Sequence, residues 1–302
     1  MTTRALVTGA SGFLGRHVVG ALVARGHEVH AVSRRDLPEQ SGVRMHVLDL
    51  LDSSGIEQLL EEVRPTYLVH CAWETTPGHY LHSMSNVHWV EASVRLLRRF
   101  IDRGGERSVF LGSCFEYEWG NGPLPEDTPR RASSVYGASK AALGELVNSL
   151  ARLGHLDAAW VRPFFTYGPY EDPRRFASSV VISVLRGEPA PISHGRQRRD
   201  YMYAGDVGDA IAAVLESGVT GPVNIGTGEV TRIVDLARRL ARQAGDEDLL
   251  AIGAIEARPD EPEEILADVS VLRERVGWRP PYGHDKGVAL TVDYWRSELE
   301  LG

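Results

Sequence analysis

The stretch "LVTGASGFLG", residues 6–15, places Gly9, Gly12 and Gly15 at intervals of three, directly after an apolar run and directly before "RHVVGALVARG". A chain puts its most permissive residues at a strand-to-helix turn when something must approach the backbone there. Gly9 permits a tight turn, Gly12 lets a bulky anion come close, and Gly15 lets the helix pack onto the strand. The anion that suits such a turn is a pyrophosphate on the helix amino terminus, where backbone N–H groups and the positive end of the helix dipole converge. Glycines also occur where only packing requires them, so position carries the weight: this turn follows the first strand and opens the first helix.

The rhythm of the surrounding chain agrees. Strand "RALVTG", helix "FLGRHVVGALVARG" and strand "EVHAVS" (28–33) begin an alternation. It continues through "RMHVLDL" (44–50), helix "IEQLLEEV", "TYLVHCA" (66–72), a helix from about Asn86 to Asp102, "RSVFLGS" (107–113), a helix from about Tyr136 to Arg152 and "DAAWVRPF" (157–164). Six near-continuous apolar strands separated by helices predict an α/β fold: a doubly wound parallel sheet, Rossmann-like, covered on both faces. After "YGPYEDP", Pro- and Gly-rich joints at 187–191 and 258–262 break the rhythm, while "DYMYAGDVGDAIAAVLES" (200–217) and "GPVNIGTG" (221–228) still read as helix and strand. The expected organisation is a dinucleotide-binding domain over residues 1–165, with returning segments at about 200–228, and a smaller, discontinuous carboxyl-terminal substrate lobe over 166–302.

Composition narrows the partners. With 302 residues, 43% hydrophobic and 25% charged, the chain can bury a full core. Its net charge of −8 and pI near 5.8 argue against a nucleic-acid surface. No apolar run reaches membrane-spanning length. Cys71 and Cys114 cannot build a disulfide framework, and no His/Cys cluster has metal-ligand spacing. The amino terminus "MTTRALVTGASG" lacks the pattern of a signal peptide, so the cytoplasm is the expected compartment. The expected partner is a small molecule, with no nucleic acid, membrane or metal.

At the tip of the second strand a carboxylate would grip a ribose 2′-hydroxyl, whereas arginine accommodates a 2′-phosphate. Ser33, Arg34 and Arg35 stand there. Two guanidiniums and no carboxylate favour NADP(H), with NAD possible. Further along, "SSVYGASKAALGEL" carries Tyr136 and Lys140 four residues apart, on one helical face. A phenol with a pKa of about 10 is a poor acid or base at neutrality, and an adjacent ammonium is expected to draw it down. Ser113, in "FLGSCFEY", follows the fifth strand at the carboxyl edge where such sheets bind ligands.

Taken together, "TGASGFLG", Ser113 and the Tyr136/Lys140 pair resemble the extended short-chain dehydrogenase/reductase family, in its branch of nucleotide-sugar epimerases, dehydratases and reductases. The resemblance spans essentially the whole chain: "NVHWV" at Asn86, "RPFFTYGPY" (162–170), "RQRRDYMYAGDV" (196–207), "GPVNIGTGEV" and "LRERVGWRP" match segments of that pattern. It implies hydride transfer between a nicotinamide and a sugar carbonyl or alcohol. Tyr136 would move the oxygen-bound proton, Ser113 hydrogen-bond the developing oxyanion, and Lys140 hold the cofactor ribose. By the same resemblance Gly9, Ser11, Gly12, Phe13, Leu14, Gly15, Asp49, Leu50 and Pro163 line the cofactor. Trp73, Asn86, Phe164, Phe165, Arg199 and Arg258 face the substrate, the two arginines meeting its diphosphate. Tyr80 and Tyr170 are further aromatic candidates. A homodimer through the helices near 86–103 and 136–152 is implied as well.

Departures from the family's patterns narrow the chemistry. Cys114 and Phe115 stand where the 4,6-dehydratases carry adjacent Asp and Glu; decarboxylases carry Glu at the position of Phe115, and Glu116 comes one place late. The epimerase-reductases of GDP-fucose synthesis place Cys two residues after the serine and His after "YGP", where this chain has Phe115 and Tyr170. What remains is redox alone: NADPH-dependent reduction of a nucleotide-diphosphate 4-keto, 6-deoxy sugar to the 4-hydroxy sugar. The alternatives are a nucleotide-sugar 4-epimerase with tightly bound NAD and an NADP-dependent reductase of a small apolar carbonyl compound. The intact Tyr/Lys pair argues against a non-catalytic NADP sensor.

Overall fold

A computed structural model describes residues 3–300 apart from 37, 39, 53, 121 and 258–260. The first five strands are β1 (Arg4–Thr8), β2 (Glu28–Ser33), β3 (Val43–Val47), β4 (Tyr67–His70) and β5 (Arg107–Leu111). With Asp157–Pro163 and Gly221–Ile225 they form one sheet in the order Gly221–Ile225, Asp157–Pro163, β5, β4, β1, β2, β3. Every pairing in it is parallel. Apolar runs make these strands because both sheet faces are covered: β5 is buried at every residue, and Ala5, Leu6 and Val7 of β1 are inaccessible. Edge strand β3 is the exception, with Val47 62% exposed. The seventh strand, Gly221–Ile225, extends the expected six by pairing with Asp157–Pro163.

Eight α-helices are described: α1 (Phe13–Ala24), α2 (Ser54–Val63), α3 (Ser85–Asp102), α4 (Val135–Arg152), α5 (Phe176–Leu185), α6 (Ala204–Ser217), α7 (Ile233–Ala244) and α8 (Gly283–Glu300). One face of the sheet packs against α1 and α6 through Val18, Leu22, Val207 and Ile211. These two helices cross closely, since a Cβ on Gly208 would fall 2.6 Å from the backbone carbonyl carbon of His17. The other face packs against α2, α3 and α4 through Leu60, Leu96, Phe100 and Val147. A third apolar cluster joins α5, α7 and α8 away from the large sheet. Among the described residues, no helix is long and apolar enough to cross a membrane.

Strand order reverses at β1, which pairs with β2 on one side and β4 on the other. Ligands of doubly wound sheets bind in the crevice outside the carboxyl ends of such strands. The glycine turn follows β1 at that point, and Ser113 follows β5 on the same edge.

Candidate active site

The glycine turn is built to bring the chain's own backbone together and to leave α1 open. Gly9 has φ +69°, and a Cβ there would fall 2.7 Å from Cα of Ala72, just beyond β4. A Cβ on Gly15 would overlap the Gly9 carbonyl oxygen. Gly12 is the N-cap of α1, extended and exposed, and its N–H donates to the Gly9 carbonyl at 2.9 Å. No side chain caps α1 and no acid stands in its first turn, so its unpaired N–H groups face an open approach. This cradle fits the pyrophosphate of a dinucleotide.

The tip of β2 presents Arg34 and Arg35 exposed. Ser33 is buried; its hydroxyl donates to Oγ of Ser11 at 2.7 Å and accepts the N–H of Arg35 at 3.1 Å. Phe13 opens α1 and lies against His17, while Leu14 packs on the core. Asp49 accepts the N–H of Leu51 at 3.0 Å, as a turn-forming carboxylate does, and Leu50 is buried. Pro163 ends its strand opposite Ile225.

Ser113, Tyr136 and Lys140 are all buried. Ser113 is fixed by a capping box: its hydroxyl accepts the N–H of Phe115 at 3.2 Å, and its own N–H donates to Oε1 of Glu116 at 2.8 Å. Ser134 caps α4 by accepting the N–H of Gly137 at 3.1 Å, which sets Tyr136 and Lys140 in the first turns. Nζ of Lys140 donates to the Leu111 carbonyl at 2.7 Å and lies 6.0 Å from the centre of the Tyr136 ring. The expectation of a lowered phenol pKa is corrected here. Burial, followed by the Tyr80 phenol, pushes Tyr136 up, although the Ser113 side chain acts the other way. Lys140 is the group that falls, to about 7, again through burial.

An aromatic wall surrounds the phenol. Tyr80 meets Tyr136 edge-on at 4.9 Å between centroids, Trp73 at 6.4 Å and Phe115 at 6.2 Å; Phe165 continues from Phe115 at 6.3 Å and meets Tyr201 at 5.5 Å. Other candidates lie differently. Phe164 belongs to the core and packs on Tyr117. Tyr170, with φ +69°, is clasped between Arg16 of α1 and Tyr294 of α8. The Asn86 amide is fully engaged: Nδ2 donates to the carbonyls of Tyr80 and Ser83, and Oδ1 accepts from Trp73. Arg199 is 1% exposed, and its guanidinium donates to Oε1 of Glu261 at 2.8 Å and to the carbonyls of Arg198 and Glu263. Arg258 lies outside the described residues.

Glu116 is a site residue whose role sequence reasoning missed. It has no solvent exposure, pairs with Nε of Arg162 at 2.8 Å and accepts Nε1 of Trp160 at 2.9 Å. Arg162 goes on to Tyr117, whose hydroxyl donates to Asn224 at 2.7 Å. This network ties the Ser113 turn to two strands of the sheet. The pattern "SCFE" was the available signal, because Ser followed three places later by Glu is a capping box.

A doubly wound sheet with a glycine cradle at its switch point and Ser, Tyr and Lys gathered at the same edge defines a nicotinamide-dependent enzyme of the short-chain dehydrogenase type. The model of the NAD dependent epimerase/dehydratase family matches residues 5–226, and the chain belongs to that family. It is 30% identical to UDP-glucose 4-epimerase of Mycolicibacterium smegmatis, over 98% of this chain and 100% of that protein. It is 27% identical to dTDP-glucose 4,6-dehydratase of Xanthomonas campestris pv. campestris, over 96% of this chain and 92% of that one. Among solved structures, UDP-glucose 4-epimerase of Thermus thermophilus in complex with NAD superimposes with a TM-score of 0.85 at 29% identity, covering 97% of this chain and 99% of that one.

Proposed function

We propose that this protein is an NADPH-dependent reductase of a nucleotide-diphosphate 4-keto sugar, with a 6-deoxy sugar favoured. One observation carries the reading: Ser113, Tyr136 and Lys140 are present, while the positions after Ser113 offer no acid or base to the substrate. Phe115 is aromatic. Burial, first, and the Glu116 and Asp200 carboxylates hold the Cys114 thiol protonated. The Glu116 carboxylate is committed to Arg162, Trp160 and the Ser113 N–H. Dehydration and carbanion epimerisation need such a group; a transfer of hydride does not. The aromatic wall of Tyr80, Phe115 and Phe165 suits the methyl end of a deoxy sugar.

The nicotinamide cofactor supplies the hydride when bound. The α1 cradle and Lys140 hold it, Tyr136 carries the proton for the carbonyl oxygen, and Ser113 donates a hydrogen bond to that oxygen as charge develops. We assign the cofactor as NADP(H), because Ser33 replaces the ribose-gripping carboxylate and Arg34 and Arg35 stand exposed beside it. Arg34→Ala raises KM for NADPH far more than for NADH; equal effects remove the assignment. In this reading residues 1–165 with the returning segments hold the cofactor and 166–302 mainly the substrate. The compartment remains the cytoplasm, and the partner in assembly a second copy of the chain. Support for that dimer comes from the exposed apolar residues Val87 of α3 and Leu146 of α4, and light scattering tests it.

A second reading, a nucleotide-sugar 4-epimerase that retains NAD, is favoured by the Mycolicibacterium and Thermus relatives. Cofactor content of freshly purified protein separates the two. The reductase reading predicts little bound nucleotide and steady NADPH consumption with substrate. Stoichiometric NAD without net NADPH consumption supports the epimerase.

A further inference from the structure

Lys140 ends beneath an indole. Its Nζ lies 3.7 Å from the centre of the Trp73 ring, with the Leu111 carbonyl 2.7 Å away. An ammonium over an indole face is attracted by the ring quadrupole, and Trp is the strongest partner of this kind. The indole is itself anchored: Nε1 donates to Oδ1 of Asn86 at 2.8 Å, and Nδ2 of the same amide donates to the carbonyls of Tyr80 at 2.7 Å and Ser83 at 2.8 Å. Trp89 lies nearly parallel to Trp73, with centroids 6.2 Å apart. The side chain expected to meet substrate is therefore committed to the lysine.

We infer that Trp73 is a positioning residue: anchored by Asn86, its indole caps the Lys140 ammonium, aims it at Leu111 and excludes water from that side. The inference rests on the reading of Lys140 as a catalytic-site residue. The other groups that face the ammonium are His70 and Cys71 at the end of β4, Glu116 beyond β5 and Tyr136 on α4. Burial lowers His70 to about 3 and raises Cys71 to about 12, so both stay neutral near pH 7. Glu116 is shared with Arg162. Burial is the largest cause of the lowered Lys140 pKa, and the Glu116 carboxylate acts the other way.

Lys140 and Lys286 are the only lysines of the chain, and Lys286 is exposed. Carbon-13 labelling at lysine Cε therefore gives two NMR signals, one of them an internal reference. In the cofactor-free wild type, the Lys140 signal titrates near neutrality and its Hε protons are displaced upfield by the indole ring current. Trp73→Ala takes away the attraction of the ring, which lowers the Lys140 midpoint, and admits water, which raises it; burial is the larger effect, so the midpoint rises by about 1 pH unit, while Trp73→Phe, which keeps an aromatic face, stays within about half a unit of wild type. An unmoved Lys140 midpoint in Trp73→Ala overturns the inference. If that variant does not fold, the wild-type spectrum decides, because Lys140 Hε protons without upfield displacement overturn it equally. Neither readout uses turnover. Full activity in Tyr136→Phe would remove the catalytic reading and leave the cap standing.

Discussion

In the proposed reaction Tyr136 carries the proton, and its phenol lies outside the glycine cradle of α1. Tyr136→Phe therefore keeps NADPH affinity, read by fluorescence titration, and lowers turnover by at least ~100-fold; undiminished turnover contradicts the assignment. Glu116 acts one step behind Ser113. Glu116→Gln preserves the shape but strands the buried Arg162 charge, which costs about 3–5 kcal/mol of stability. A urea midpoint equal to that of wild type would contradict the network. Single residues were unevenly legible in the sequence. Tyr136 and Lys140 announce themselves by helical spacing and Ser113 by its place after a strand, whereas the capping pattern that marks Glu116 was passed over. Arg162, by contrast, meets Glu116 from a strand 46 positions further on, and no local pattern marks that pair. The same holds for Lys140 under Trp73, where contact depends on how α4 packs across the ends of β4 and β5.

Among the elements, α1 and α5 carry opposite electrostatic designs at their amino ends. The start of α1 is open, and Gly15 packs so tightly on the Gly9 carbonyl that Gly15→Ala must move the turn. Such overpacking costs about 1–3 kcal/mol, seen as a lower Tm together with weaker NADPH binding. Wild-type values for both would contradict the close packing. The start of α5 is closed by Glu171, which accepts the N–H and hydroxyl of Ser178, and burial lifts its pKa to about 7. A carboxyl raised above its unfolded value favours the folded state at low pH, and that advantage is lost as pH rises through the folded value. Glu171→Gln keeps the acceptor and loses the titration, so above pH 7 it is more stable than wild type by on the order of 2 kcal/mol. Parallel stability curves from pH 5 to 8 would contradict this. The alternating strands and helices of the first half were readable because both sheet faces are buried. The strand read as 44–50 is Val43–Val47, because its pairing ends where Val47 meets Ser33, the last residue of β2.

Across the whole molecule, the sheet edge carries an aromatic-walled phenol, and the wall reaches the later segments through Phe165 and Tyr201. Arg199 shows what assembly adds to a sequence: its guanidinium is matched to Glu261, 62 positions away, a partner that no local pattern marks. Charge reversal at Arg199 would break that pair and cannot separate substrate classes, which leaves the choice to the substrate itself. A ligand bound only by the folded chain stabilises it, and NADPH at a hundredfold excess over Kd adds about 2.7 kcal/mol. A smaller rise in Tm with NADH at equal concentration accords with the Arg34/Arg35 site; the reverse order contradicts it. The chemistry is tested most directly by following NADPH absorbance with dTDP-, UDP-, GDP- and CDP-linked 4-keto-6-deoxy sugars. The predicted result is stoichiometric oxidation of NADPH with at least one of them, abolished in Tyr136→Phe. No oxidation with any of the four, by protein that carries tightly bound NAD, would contradict a reductase.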